Sequence, residues 1–179
     1  IAAATAIFSL VYGVLLQPLP YADPSRLVSI WTAAPKYDLP RAAVGAANYL
    51  DWRAQNRTLD DIALVRNVGN FNLTGEGEPE HLRGARATAN LFHILGVQPE
   101  IGRPFETVNQ NADAEHVVLL SDGLWRRRFA ADTAIVGRVI RLNGEPYTVL
   151  GVMPPEFRYP SGEFQLWAPL HIPEDEIPL

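Results

Sequence analysis

Asn143-Gly144 lies between two apolar, β-branched runs, Val139 to Leu142 and Tyr147 to Val152, and no other stretch restricts the fold as tightly. The dipeptide accepts the positive φ angles of a two-residue turn, so the two runs are predicted to pair as an antiparallel hairpin. Met153-Pro154-Pro155 ends the second strand, because neither proline donates to a ladder. Upstream, His116 to Leu120 is an unbroken apolar run, the pattern of a strand covered on both faces. Ser121 and Asp122 then offer a helix cap. Leu124, Trp125 and Phe129 share one side of a short amphipathic helix, with Arg126 and Arg127 turned away and Arg128 within i, i+4 reach of Asp132.

The N-terminal stretch has a different character. Residues 1–22 carry no charge, and Ile1 to Leu16 is apolar apart from Thr5, Ser9, Tyr12 and Gly13. Seventeen helical residues at about 1.5 Å each span roughly 25 Å, a little short of a hydrocarbon core of about 30 Å. Residues 1–17 therefore read as the end of a transmembrane helix whose first turns lie upstream. Two readings compete with it: the apolar region of a signal peptide, here without a basic start, and a buried helix of a soluble domain. Pro18 and Pro20 stop the helix. Gln17-Pro18-Leu19-Pro20-Tyr21 is predicted to be a stiff, extended exit with Tyr21 at a membrane interface.

Between these two regions the chain reads as mixed. Leu27 to Trp31 (LVSIW) is predicted as a strand and Thr32 to Ala47 as a loop. A helix follows, with Asn48 as its cap and Trp52 as its anchor. A second hairpin should turn at Gly75 to Pro79, with its arms in Leu59 to Thr74 and His81 to Ala87. Asn90 caps a short helix, LFHIL, that ends at Gly96, with Leu91 and Leu95 one turn apart. Thr107 to Glu115 is a polar surface loop, and Phe164 to Trp167 one more strand. Helices interspersed with hairpin-joined strands make the fold class α+β.

Chemistry is scarce in the residues. The chain has no cysteine, which excludes disulfides and thiolate sites, and its formal charge of −5 argues against nucleic acid as a partner. Neither a Walker phosphate loop nor a dinucleotide fingerprint occurs, and G-x-S-x-G and H-E-x-x-H are missing too. The histidines His81, His93, His116 and His171 are scattered, none at metal-ligand spacing. Asp60-Asp61 and Glu78 with Glu80 fall in turns, where solvated charge is the default reading. Arg126-Arg127-Arg128 is either a solvated helix face or a contact for anionic headgroups or an acidic partner. Accordingly no catalytic, cofactor-binding or metal-binding residue is assigned.

Three blocks carry a resemblance: ANLFHILGVQPEIGRPF at Ala89 to Phe105, VVLLSDGLWRRRFAAD at Val117 to Asp132, and IVGRVIRLNGEPYTVLGVMPPEFRYP at Ile135 to Pro160. Together with the opening TAIFSLVYGVLLQPLPYADPSRLVSIW they resemble the MacB-like periplasmic core domain of ABC-transporter permeases of the FtsX-like class, in the large variant of soil bacteria. The match rests on Asn90, Phe92, Leu95, Gly96, Gly102, Arg103, Trp125, Phe129, Gly137, Asn143, Gly144, Tyr147 and Gly151. It implies structural work for the glycines: Gly96 closing a helix, Gly144 turning the hairpin, Gly137 and Gly151 where strands bend or pack closely.

For organisation, the resemblance implies residues 1–17 as the end of a first transmembrane helix. Residues 18–179 become an extracytoplasmic domain, porter-like with a small β-rich subdomain, that continues past Leu179. For function it implies a non-enzymatic part of a bacterial inner-membrane transporter, on the periplasmic side. There it couples ATP-driven helix motion to export. ATP is bound by a separate ABC ATPase domain or subunit, and this chain holds no cofactor. Further partners are the remaining permease helices, a second permease half or homodimer partner, and the lipid bilayer. Two rivals stay open: a membrane-anchored binding or sensing domain without transport, and a secreted hydrolase with an unrecognised acid–base pair.

Overall fold

A computed structural model of the chain describes residues 21–34, 39–75, 77–110 and 116–172. The expected membrane helix at 1–17 and the junction residues Gln17, Pro18, Leu19 and Pro20 lie outside the described residues. Among those described, no helix is long and apolar enough to cross a membrane.

The hairpin around Asn143-Gly144 forms as expected. Strands β7 (Val139–Leu142) and β8 (Glu145–Met153) pair antiparallel, and Asn143 and Gly144 turn between them at φ 55° and 86°. Asn143 adds a clamp that the turn rule does not foresee. Its Oδ1 accepts from the Asn72 amide at 2.8 Å, and its own amide donates to the Asn72 carbonyl at 2.9 Å. The turn is thus tied to β3 (Val65–Thr74), which runs antiparallel to β7. Strand β3 also pairs with β4 (Glu80–Ala87), the second expected hairpin.

Parallel and crossed pairings then close the sheet. β4 lies parallel to β9 (Leu166–Pro169), β9 antiparallel to β6 (Val117–Ser121), and β6 parallel to β8. Because β8 also holds β7, the sheet returns on itself as the ring β8-β6-β9-β4-β3-β7, a small mixed barrel. A two-residue strand β5 (Ile101–Gly102) adds to the free end of β8.

Alternation along the strands sorts the side chains. Phe71, Leu73, Leu82, Val118, Leu120, Ile140, Leu142, Tyr147, Val149, Val152, Leu166 and Ala168 share one cluster, the barrel interior. Val117, Leu119 and Trp167 alternate to the other face and join a second cluster with helix α2 (Leu91–Leu95). β6 is thus covered on both faces, as its unbroken apolar run predicts. Helix α3 (Asp122–Phe129) lays Leu124, Trp125 and Phe129 on the interior cluster, and Ser121 Oγ caps it by accepting from the Leu124 amide at 3.2 Å. A bulge at Leu150 keeps β8 in phase: Val118 faces Val149 but Leu119 faces Gly151.

Four expectations need correction. Residues 27–31 are not a strand, since no strand among the described residues pairs with them. The predicted loop after them holds a hairpin of β1 (Thr32–Ala34) and β2 (Leu39–Ala42) and the start of helix α1 (Ala46–Gln55). That helix is capped by Gly45 rather than Asn48, and its anchor is Tyr49, 2% exposed against Leu64 and Leu170, rather than Trp52. Arg128 reaches back to the β3–β4 turn, donating to the Glu78 carbonyl at 2.8 Å, while Asp132 caps the next turn through the Ala134 amide.

Candidate functional site

The motif residues gather at two places in the fold. One is the outer face of the barrel, where α2 packs. Phe92, 1% exposed, meets Phe105 edge-on at 5.1 Å and Phe157 at 5.9 Å. Asn90 sits at the helix start but makes no capping bond. Instead its Nδ2 donates to Asp61 Oδ2 at 2.7 Å and to the Ile62 carbonyl at 2.9 Å, fastening the segment after α1 to α2. Gly96 ends the helix in the left-handed region at φ 65°, with its amide on the His93 carbonyl.

Gly96 does more than end a helix. A Cβ there would overlap the Ala22 methyl, and the Ala22 amide donates to the Leu95 carbonyl at 3.2 Å. Tyr21 packs on the second cluster and meets Tyr159 edge-on at 6.3 Å. Burial pushes both phenols above their ordinary pKa, and for Tyr21 the neighbouring Tyr159 adds to it, so both stay neutral under physiological conditions. The first described residues of the chain are therefore seated on the family motif Leu95-Gly96-Val97. Sequence reading finds Tyr21 and Gly96 separately; nothing in the sequence pattern announces that they belong together.

The second place is the barrel. Gly102 and Gly151 oppose each other where β5 meets β8, and a Cβ on either would strike the other strand's backbone. Gly137, at φ 84°, opens β7 and donates its amide to Val149. The Arg103 amide bonds the Leu150 carbonyl at 3.1 Å, while its guanidinium reaches Glu106 at 3.4 Å on the surface. Trp125 Nε1 donates to the Asp132 carbonyl at 2.8 Å, and Phe129 lies under Arg138. Tyr147 accepts from Arg86 Nη2 at 2.9 Å inside the barrel, where Arg86 also faces the Phe71 ring. Arg86 escapes sequence reading, since an arginine in a strand pattern carries no sign that it points inward.

Several carboxylates hold ion pairs. Asp60 pairs with Arg26 at 2.5 Å, Asp61 lies 3.5 Å from Arg53, Asp122 meets Arg126 at 2.8 Å, and Glu80 meets Arg127 at 2.6 Å. Among the described residues no three acidic or imidazole side chains converge on a metal position. A cleft of about 290 Å³ at the β3–β4 turn is lined by Leu73, Phe129 and Ile140 with Arg128 and Arg141, and its described lining holds neither carboxylate nor imidazole.

The Glu80–Arg127 pair gives a pH signature. The hydrogen bond from Arg127 holds the Glu80 carboxyl below its ordinary pKa. A depressed folded pKa means that the stabilisation is present above the unfolded value of about 4.3 and is lost as pH falls through the folded one. The Glu80→Gln variant is expected to melt lower at pH 7, by up to about 1 kcal/mol for so exposed a pair, and the gap should be smaller at pH 3, as the carboxyl takes up its proton. Thermal unfolding at the two values checks it.

The described residues thus form a closed mixed barrel with an apolar helix on its outer face, close-packed glycines between strands, and residues 21–22 docked on that helix. The sequence matches the MacB-like periplasmic core domain over residues 1–177, and the chain belongs to that family, the extracytoplasmic domains of ABC-type permeases. In fold it is similar to the periplasmic region of MacB from Actinobacillus actinomycetemcomitans, with TM-score 0.59 and 13% identity over 78% of this chain and 62% of that one. It is also similar to the extracellular domain of the noncanonic ABC-type transporter YknZ from Gram-positive bacteria, with TM-score 0.59 and 11% identity over 78% and 70%. A permease-protein domain from Porphyromonas gingivalis aligns with TM-score 0.55 and 14% identity over 75% and 61%. The likeness to all three is one of fold, and the chain spans less than two thirds of the first and the last. A comparison with curated proteins finds no sequence match.

Proposed function

We propose that this chain is the periplasmic domain of an inner-membrane ABC permease subunit and transmits ATP-driven motion of the membrane helices to substrate export, performing no reaction itself. Residues 1–17 are then the end of the first membrane helix. ATP is bound by a separate ABC ATPase, so the chain needs no cofactor. The remaining permease helices, a second permease half or homodimer partner, and the bilayer complete its surroundings.

One observation carries this reading: the segment leaving residues 1–20 is held at Tyr21 and Ala22 on the body of the domain, by the Ala22–Leu95 backbone bond and the Tyr21–Tyr159 contact. A lever moves its load only if it is fixed to it. Proline at 18 and 20 stiffens the approach, whereas a glycine linker would absorb the tilt. In the intact permease, the double variant Pro18→Gly, Pro20→Gly is expected to keep ATP turnover while transport per ATP falls several-fold. Unchanged transport per ATP in reconstituted vesicles would overturn the proposal.

A further inference from the structure

We propose that residues 28–31 form a second contact with the membrane, seating Val28, Ile30 and Trp31 in the headgroup–acyl boundary of the outer leaflet. The idea rests on the reading of residues 1–17 as membrane-embedded. Val28, Ile30 and Trp31 are 66%, 43% and 56% exposed. Scattered exposed apolar residues are ordinary, but three within four consecutive positions, one of them tryptophan, make a patch that water does not favour.

Position and charge identify what covers it. Val28 follows Tyr21 by seven residues, and residues 1–22 hold no charge. Seven residues reach at most about 25 Å when fully extended, and the 3₁₀ turn Pro24–Arg26 shortens that path. The patch therefore stays close to the point where the chain leaves its uncharged stretch. Of the described charges beside it, Arg26 is paired with Asp60, and the Asp23 carboxylate accepts from the Ser25 hydroxyl and keeps its charge. A tryptophan beside exposed valine and isoleucine suits a zwitterionic lipid surface, where the indole finds both apolar contact and a partner for its N–H. Interfacial segments of this kind sink about 5–10 Å below the headgroups.

The chain has no cysteine, so a single nitroxide can report depth. The 179-residue chain is reconstituted into phosphatidylcholine vesicles as Val28→Cys, as Phe8→Cys within the apolar stretch, and as Val139→Cys, an exposed reference on the barrel at 57% exposure. Collision of each label with oxygen and with a water-soluble nickel chelate is measured. The label at 28 is expected to resemble that at 8, favouring oxygen several-fold over the reference at 139, and Trp31→Asp should return it to the reference value. A label at 28 that matches the reference while the label at 8 favours oxygen would overturn this contact alone. Should the label at 8 behave as aqueous, the membrane reading fails and this inference with it. Shielding of the label at 28 from both reagents would mean that protein covers the patch, which equally overturns a lipid contact.

Discussion

Replacing Trp167 by alanine is expected to cost about 3–5 kcal/mol, the usual range for emptying a large buried aromatic site. Trp167 is 0% exposed and stands on β9, the strand that joins the two halves of the barrel by pairing with both β4 and β6. Its ring meets Phe157 at 4.9 Å, and its Nε1 donates to the Tyr159 carbonyl at 2.8 Å. Truncation opens a cavity in the second cluster and leaves that carbonyl without its partner. Against a total stability of about 5–15 kcal/mol for a domain of this kind, the loss is a large share. Trp167→Phe keeps most of the volume and should lose about 1 kcal/mol for the hydrogen bond, plus a smaller packing deficit. Urea unfolding of the parent and both variants measures the order. A loss below about 1 kcal/mol for alanine would show that the second cluster can refill the site and that β9 does not depend on this ring.

What the sequence makes legible here is what local chemistry decides. Asn143-Gly144 specifies its turn because few residues accept positive φ twice in succession. The run His116 to Leu120 announces a doubly covered strand because no polar position interrupts Val117 to Leu120, and those four are buried in the observed strand. Gly96 is recognisable as a helix terminator, and the structure gives it that conformation. Barrel closure is not legible, because it depends on pairings such as Gly84 with Leu166 and Leu119 with Trp167, between strands far apart in sequence. LVSIW misleads for the related reason that strand propensity expresses itself only beside a partner. Asn48 has the chemistry of a cap, yet the helix starts earlier because Ala46 and Tyr49 gain burial against Leu64 and Leu170. For the candidate site, the glycines and aromatics could be picked out, but not the seating of Ala22 on Gly96, whose two residues lie 74 positions apart (96 − 22).

That seating supplies the sharper test of transmission. Gly96→Asn keeps a residue that tolerates the left-handed region, so the helix end is retained, but it adds a Cβ that collides with the Ala22 methyl. In the intact permease this variant is expected to release residues 21–22 from α2 and to lower transport per ATP several-fold with ATP turnover kept. Ala22→Gly removes the colliding methyl and leaves the Ala22 Cα and N at 3.4 Å from the added Cβ, an ordinary contact, so the double variant should recover. Hydrogen exchange at the residue 22 amide, bonded to Leu95 in the parent, reports the seating independently of transport. Exchange should quicken in Gly96→Asn and slow again in the double variant, in step with transport. If the amide is freed and transport per ATP does not change, the docked segment carries no motion, and the domain must receive its drive through some other connection to the membrane.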